Sequence, residues 1–274
     1  MGKPEPGMPL HPVDLSNQRY TLLAAGELPP QQVYLEHDPE RQPHLAPWQK
    51  RAVKEHCRKL RLQGARLVDL PLYRFLGFSL GEELVLRTGA TRYEEYLGCS
   101  LAYPEWAESW GFEATADALS IAGVTEAGGR LLVGRRSPEV AECPGFFHVK
   151  PAGHMHPPST PMETVLQEAR EELGLEPAEL EELSCIGLVR SKSSRCVDVV
   201  FRLKSSAALE DLRGRRPIDA WEHDDLVGLE PERLGRWLVE EYPRTTDPGH
   251  ASLVLEGLRR YGNDWLEQLW RQLP

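Results

Sequence analysis

The sequence has 274 residues, 41% hydrophobic and 27% charged, with a formal net charge of −10. That length and apolar content suffice for one large domain or two modest ones, and the absence of long low-complexity tracts excludes a chain disordered throughout. The acidic balance argues against a nucleic-acid-binding protein, and a phosphate site in such a chain would rely on bound cations.

Five cysteines (Cys57, Cys99, Cys143, Cys185, Cys196) are odd in number, scattered and free of any CxxC pair. They suit reduced thiols in a cytosol better than a disulfide framework or a zinc site. The amino terminus has too little apolar length for a signal peptide. No run approaches the ~20 apolar residues that span a bilayer. The expectation is a soluble cytoplasmic protein with no membrane or nucleic-acid partner, its oligomeric state left open.

Residues 1–19 are polar and proline-rich and read as a flexible leader. A first structured region, 20–115, contains a helix from Ala46 to Gln63, with Pro47 near its start and Gly64 past its end. Extended stretches follow over Ala65–Leu72 and Tyr73–Arg87, with a turn at Gly81. Thr91–Leu97 reads as a short helix capped by Thr91, with Glu94 completing a capping box. Glu105–Trp110 reads as a second one. A second region, 116–274, opens on a hairpin, Ala118–Thr125 and Arg130–Arg135, around Glu-Ala-Gly-Gly. A short strand, Phe147–Lys150, leads to Pro151-Ala152-Gly153, and a helix runs from Pro161 to Leu173, closed by Gly174. Cys185–Val189 and Val197–Leu203 are extended, as is Ala220–Leu229. Helices are expected at Pro231–Glu241, Gly249–Arg260 and Trp265–Trp270. The fold class is α+β.

The chemistry concentrates in the Pro161–Leu173 helix. Met162, Val165, Leu166, Ala169 and Leu173 form an apolar stripe. Glu168, Glu171 and Glu172 fall within roughly 100° of arc beside it. No lysine or arginine neutralises that arc at four-residue spacing, so the three acids repel, each pair by a few tenths of a kcal/mol. A divalent cation reverses the sign, and hard ions such as Mg²⁺ take oxygen ligands shared with substrate phosphates. The alternative is three solvated glutamates on a surface helix.

The strand, the Pro-Ala-Gly and the Gln-Glu-x-x-Glu-Glu-x-Gly-Leu run together resemble the Nudix box, G-x5-E-x7-R-E-U-x-E-E-x-G-U with U bulky and apolar. Gly153 takes the first place, Glu168, Glu171 and Glu172 the helix acids, and Gly174 and Leu175 the close. Ser159 stands where the first Glu belongs, Gln167 replaces the Arg, and Ala169 is smaller than the usual U residue. The departures at Ser159 and Gln167 read as one event, because that acid and arginine are expected to pair, and losing both strands no charge. The stretches Leu86–Gly98, Gly134–Ser137, Pro151–His154 and Val165–Glu168 are similar to the atypical UDP-glucose/UDP-galactose-hydrolysing Nudix group.

The resemblance implies a Nudix-type α/β/α sandwich with a mixed sheet, over 116–274 with C-terminal helices. Region 20–115 becomes an N-terminal α/β cap that selects substrate. The resemblance further implies Mg²⁺ or Mn²⁺ on Glu168, Glu171, Glu172 and the Ala152 carbonyl, with catalysis by Glu172, Glu168 and Glu222. It implies hydrolysis of a nucleoside diphosphate derivative, a UDP-sugar to UMP and sugar 1-phosphate. ADP-ribose, dinucleotide or other NDP-sugar hydrolysis, or a non-catalytic nucleotide-binding module, are the alternatives.

Weaker candidates surround this core. Glu222, in Asp-Ala-Trp-Glu-His, is either an extra ligand or base, or a surface acid. Arg135 and Arg136 end a strand and suit bidentate grip on a diphosphate, or plain exposure. His154 and His156 suggest a zinc pair, against which the oxygen-rich helix argues. Arg190, Lys192 and Arg195 form a basic turn, solvated or phosphate-binding. The tryptophans suit packing, although an aromatic from the first region is a candidate to stack a base.

Overall fold

A computed structural model describes residues 8–274, the side chains of Ala220, His223 and Asp224 excepted. The first seven residues of the expected leader lie outside the described residues. The remainder of that leader is ordered differently from the expectation: β1 (His11–Ser16) pairs antiparallel with β2 (Tyr20–Leu28). β2 alternates buried and half-buried positions, and its paired backbone joins the main sheet. A short polar strand after a proline-rich start lacks the apolar run by which a strand is recognised; long-range pairing creates it.

After β2 the chain leaves the main sheet. It forms β3 (Val33–His37), α1 (Pro47–Leu62), β4 (Pro71–Leu80), β5 (Leu84–Arg92), α2 (Tyr93–Tyr96) and α3 (Glu105–Trp110). The small sheet has the order β3-β5-β4, with β3 and β5 parallel. The cap of α2 differs from the expected one. Thr91 and Arg92 belong to β5, the Glu94 N–H donates to Asp69 Oδ1 at 3.0 Å, and Thr91 Oγ1 donates to Glu95 at 2.9 Å.

The chain returns with β6 (Leu119–Ala127) and β7 (Arg130–Arg136), then β8 (Phe147–Val149), β9 (Ala152–His154), α4 (Pro161–Leu173), β10 (Leu180–Ser191) and β11 (Val197–Ser205). It ends with α5 (Leu209–Gly214), β12 (His223–Leu229), α6 (Leu234–Glu240), α7 (Asp247–Tyr261) and α8 (Asn263–Trp270). The main sheet is nine-stranded, with a path β1-β2-β10-β11-β6-β7-β12 and with β8 and β9 attached to β7 and β6. β11 and β6 are parallel and the other pairs antiparallel, so the sheet is mixed.

β6 and β11 are buried along almost their whole length, as strands covered on both faces must be. Leu119, Ile121, Val199 and Phe201 pack towards Val165, Ala169 and Leu173 of α4. Ala122, Val124 and Val200 pack on the other face towards Leu253, Val254 and Leu258 of α7, with Leu234 and Leu238 of α6. This is an α/β/α sandwich. Tyr73, Phe75, Leu84 and Leu86 of the small sheet share the α4-side core, and backbone bonds Tyr73 N to Met155 O (3.1 Å) and Phe75 N to Asp117 O (2.8 Å) stitch the two sheets. No described helix is long and apolar enough to cross a membrane.

The sheet's central irregularity builds the site. β6 and β7 pair only next to their turn, at Glu126–Leu131 and Ala127–Arg130. Beyond it they splay, and β8 and β9 fill the gap, β9 on β6 and β8 on β7. The Gly123 N–H donates to the Pro151 carbonyl at 2.6 Å, and Thr125 Oγ1 to the Lys150 carbonyl at 2.6 Å. The Lys150–Gly153 segment is thereby held between strands instead of in a free loop.

Candidate active site

The local sequence ends α4 cleanly on both sides. Thr160 Oγ1 accepts from the Glu163 N–H at 3.2 Å, the Glu163 carboxylate accepts from the Thr160 N–H at 2.8 Å, and Pro161 sits at the first position. Gly174, with φ of 64°, takes the left-handed closing position. With Val165, Ala169 and Leu173 buried, helical spacing turns Glu168, Glu171 and Glu172 toward β9 and the loop before β12.

A cavity of about 620 Å³ opens there, and Ala152, Gly153, Gln167, Glu168, Glu171, Asp219 and Glu222 are among its lining residues. Glu172 lies behind this wall, 4% exposed, and its Oε2 accepts from the Ala152 N–H at 3.0 Å. Gln167 Nε2 donates to Glu171 Oε1 at 3.0 Å, and the Ser159 N–H is spent on the His156 carbonyl; no hydrogen bond joins Ser159 to Gln167 among the described residues. Among the described residues no three acidic side chains close around a point as a preformed metal cage. The acids share a wall without converging, as like charges with nothing between them do.

Their electrostatics records that repulsion. Burial, then the charges of Glu172 and Glu171, push the Glu168 carboxyl well above the usual carboxylate range. Burial pushes Glu172 up to about 7 against the opposing pull of Lys150, and burial also raises Glu222. Lys150, 4% exposed and facing Glu172 and Glu222, is itself lowered by burial. It was not singled out in the sequence, where it reads as the polar end of an apolar strand.

Residues 114–247 match the family model for the NUDIX domain. Over this stretch the chain is similar to the NUDIX domain. The sequence matches no curated protein. Among solved structures, the chain is similar to a Deinococcus radiodurans protein at 21% identity, covering 57% of this chain and 83% of that one with a TM-score of 0.37. It is similar to a MutT protein from Methanosarcina mazei at 16% identity, covering 57% and 94%, TM-score 0.33. A MutT NUDIX hydrolase from Burkholderia pseudomallei matches at 18% identity over 50% and 95%, TM-score 0.34.

Gly153 has a steric role in this cavity. A Cβ built on Gly153 would clash directly with the Glu168 carboxylate. The backbone of Gly153 tolerates alanine, and the atom in the way is the end of a flexible side chain, so Gly153→Ala displaces the carboxylate more than it strains the fold. The expected result is at least a tenfold loss of kcat/KM, ~1.4 kcal/mol, with the melting temperature within a few degrees of wild type. Equal activity in a side-by-side assay would show that the placement of Glu168 does not matter.

The remaining candidates separate. Arg136 lines the cavity and its Nε donates to the Glu142 carbonyl at 2.9 Å, whereas Arg135 points to solvent outside the lining, because neighbours on a strand face opposite ways. His154 and His156 have separate hydrogen-bond partners. His154 Nδ1 meets Ser120 Oγ at 2.6 Å and Nε2 meets Glu142 at 3.2 Å, while His156 Nδ1 bonds the Pro71 carbonyl at 2.7 Å. The basic turn is structural: Arg195 forms a two-pronged pair with buried Asp117 (2.8 and 2.9 Å), Arg190 lies 3.7 Å from it, and Lys192 bonds the Asn17 carbonyl. Trp48, Trp106 and Trp110 pack on one another near α1 and α3, and Trp221 lines the cavity.

Sequence reasoning missed the hub that ties the N-terminal region to the box. Glu142 accepts from Tyr93 Oη (3.0 Å) and Tyr96 Oη (2.9 Å) of α2 as well as from His154. Burial alone would raise its carboxyl, but the hydrogen bond and charge of His154, with Arg136 and Tyr96, hold it down to about 2. The signal was faint: one acid in an irregular loop, and two tyrosines in a short helix.

Proposed function

We propose that the chain hydrolyses a nucleoside diphosphate joined to a second group, using Mg²⁺ or Mn²⁺, and that its preferred substrate is a UDP-sugar cut to UMP and sugar 1-phosphate. The observation that carries the first part is the wall of Glu168, Glu171 and Glu222 in one cavity, backed by Glu172. The carboxyls of Glu168, Glu172 and Glu222 are pushed up by burial, those of Glu168 and Glu172 also by neighbouring glutamates and that of Glu222 by Asp219. Oxygen donors of this kind suit a hard divalent cation, with Glu168, Glu171, Glu172 and the Ala152 carbonyl as its holders. When bound, such a cation neutralises phosphate oxygens and lowers the pKa of the attacking water.

The chain's own groups supply the rest. Arg136 offers a permanent positive charge to a phosphate oxygen at the cavity wall. Lys150 faces Glu172 and Glu222 and offsets part of their repulsion. Glu222 lines the cavity, its backbone held by Asp219 and Ser137, and in this reading its carboxylate takes the proton of the attacking water. Water adds at one phosphorus, one phosphoanhydride P–O bond breaks, and the departing oxygen leaves on the other phosphate.

The substrate half rests on the stretches that resemble the UDP-sugar-hydrolysing group. Leu86–Gly98 contributes Tyr93 and Tyr96 to the cavity wall, and Gly134–Ser137 contributes Arg136. A pocket that hydrogen-bonds one base discriminates strongly, because the wrong base leaves buried groups unpaired. In a panel with every product identified, kcat/KM for UDP-glucose is expected to exceed that for ADP-ribose by at least about tenfold, ~1.4 kcal/mol. ADP-ribose ranking first would remove the UDP-sugar assignment and leave the hydrolase. No turnover of any nucleotide with Mg²⁺ or Mn²⁺ would favour a binding module.

A further inference from the structure

The cavity extends beyond the box carboxylates to an arm on the α7 side of the main sheet. Strand parity decides which residues line it. On β11, Val197, Val199 and Phe201 face α4, so Asp198 and Val200 face α7. Asp198 stands level with Ser120 of β6, and Ser194 and Cys196 line the same cavity.

Asp198 is 3% exposed, and among the described residues its Oδ2 has no hydrogen-bond partner. The neighbouring hydroxyl, Ser120 Oγ, is instead within bonding distance of His154 Nδ1 at 2.6 Å and Cys196 Sγ at 3.0 Å. Burial pushes the Asp198 carboxyl up to about 7. A buried acid without a paired cation costs stability, and an apolar residue like Val200 two places on would pack there without that cost. His154 and the Cys196 thiol offset only part of that cost, and a ligand with a hydrogen to donate would offset more.

We propose that Asp198 is a specificity-determining residue that accepts a hydrogen bond from a hydroxyl of the sugar carried on the nucleoside diphosphate. The inference rests on the nucleotide-sugar reading given above. A base needs a flat apolar or aromatic surface against at least one face. The cavity's flat or apolar side chains include Leu70, Leu101, Val140, Trp221 and the rings of Tyr93 and Tyr96, most of them from the N-terminal region and from loops. The small polar groups of Ser120, Ser194 and Cys196 line the cavity beside Asp198, and a hexose presents O–H donors around its whole ring.

The test measures binding by calorimetry on the full chain, in a Glu222→Gln background with Mg²⁺ so that the proposed metal-holding side chains stay intact. The probes are UDP-glucose and UDP. Asp198→Ala is expected to weaken UDP-glucose at least tenfold and UDP less than twofold. Asp198→Asn, which keeps the size of the side chain, is expected to weaken UDP-glucose at least threefold and again to spare UDP. The retained UDP affinity reports that the pocket is folded. Equal losses for both probes would assign Asp198 to the base or phosphates, and no loss for UDP-glucose would leave it without a ligand role; either overturns the inference alone. A background protein that binds neither probe overturns the nucleotide-sugar reading and this inference together.

Discussion

Glu172→Gln is expected to lower kcat at least a hundredfold, ~2.7 kcal/mol of barrier, while the metal-free protein melts no lower than wild type. The carboxylate does two separable things. Its Oε2 accepts the Ala152 N–H, which a glutamine carbonyl oxygen does equally well. Its charge, buried beside Glu168 and Glu222, is what a cation requires and what the apo fold resists. Release of monophosphate from UDP-glucose, measured beside a thermal melt in EDTA, separates the two. A variant that keeps more than a tenth of the wild-type rate would mean the charge is not needed for turnover.

The second large effect is a crossing of stabilities with pH. The folded carboxyl of Glu172 stands near 7 against a reference of 4.5. Between those values the folded state holds a proton that the unfolded chain has lost. This group's contribution is therefore fully present below about pH 4.5 and lost as pH rises through 7, by on the order of 1–3 kcal/mol. Buried His148 and His250, lowered by burial to about 3 and about 4, act with the opposite sign in part of that window. The difference between Glu172→Gln and wild type cancels them. Without metal, the variant is expected to gain on wild type from pH 5 to pH 8. With saturating Mg²⁺ the order inverts at pH 8, because only wild type carries the full charge set that binding stabilises. Chemical denaturation at both pH values, with and without Mg²⁺, reads all four numbers. A difference that does not change with pH would show that Glu172 ionises normally.

The box helix was legible in the sequence because its signals are local. Thr160, Pro161 and Glu163 mark its start, Gly174 marks its end, and the stripe through Val165 and Ala169 states which side is buried, hence where the three acids point. The Arg130–Arg136 strand was legible for the same reason. Other parts of the site were not, because each depends on contacts distant in sequence. The β1–β2 pair joins the main sheet only through β10, more than 150 residues on from β2. Lys150 looks like a polar strand end until the splaying of β6 and β7 buries it. Arg190 and Arg195 resemble a phosphate grip until Asp117 is found beneath them. Asp198 interrupts an apolar run, Val197–Leu203, and no periodicity distinguishes a ligand-facing acid there from an exposed one.

The excursion of the chain between β2 and β6 has a consequence for how this protein can be taken apart. Both ends of residues 29–118 are anchored in one sheet, so the region is an insertion with two tethers and not a head attached by one. A cut near residue 115 would remove β1 and β2 together with the insertion and expose the β10 edge they cover. A separable piece would have to be excised at both crossings, with a short linker joining Leu28 to Leu119. Chimeras made by exchanging this segment need both junctions preserved, because it is tethered at two ends and not one.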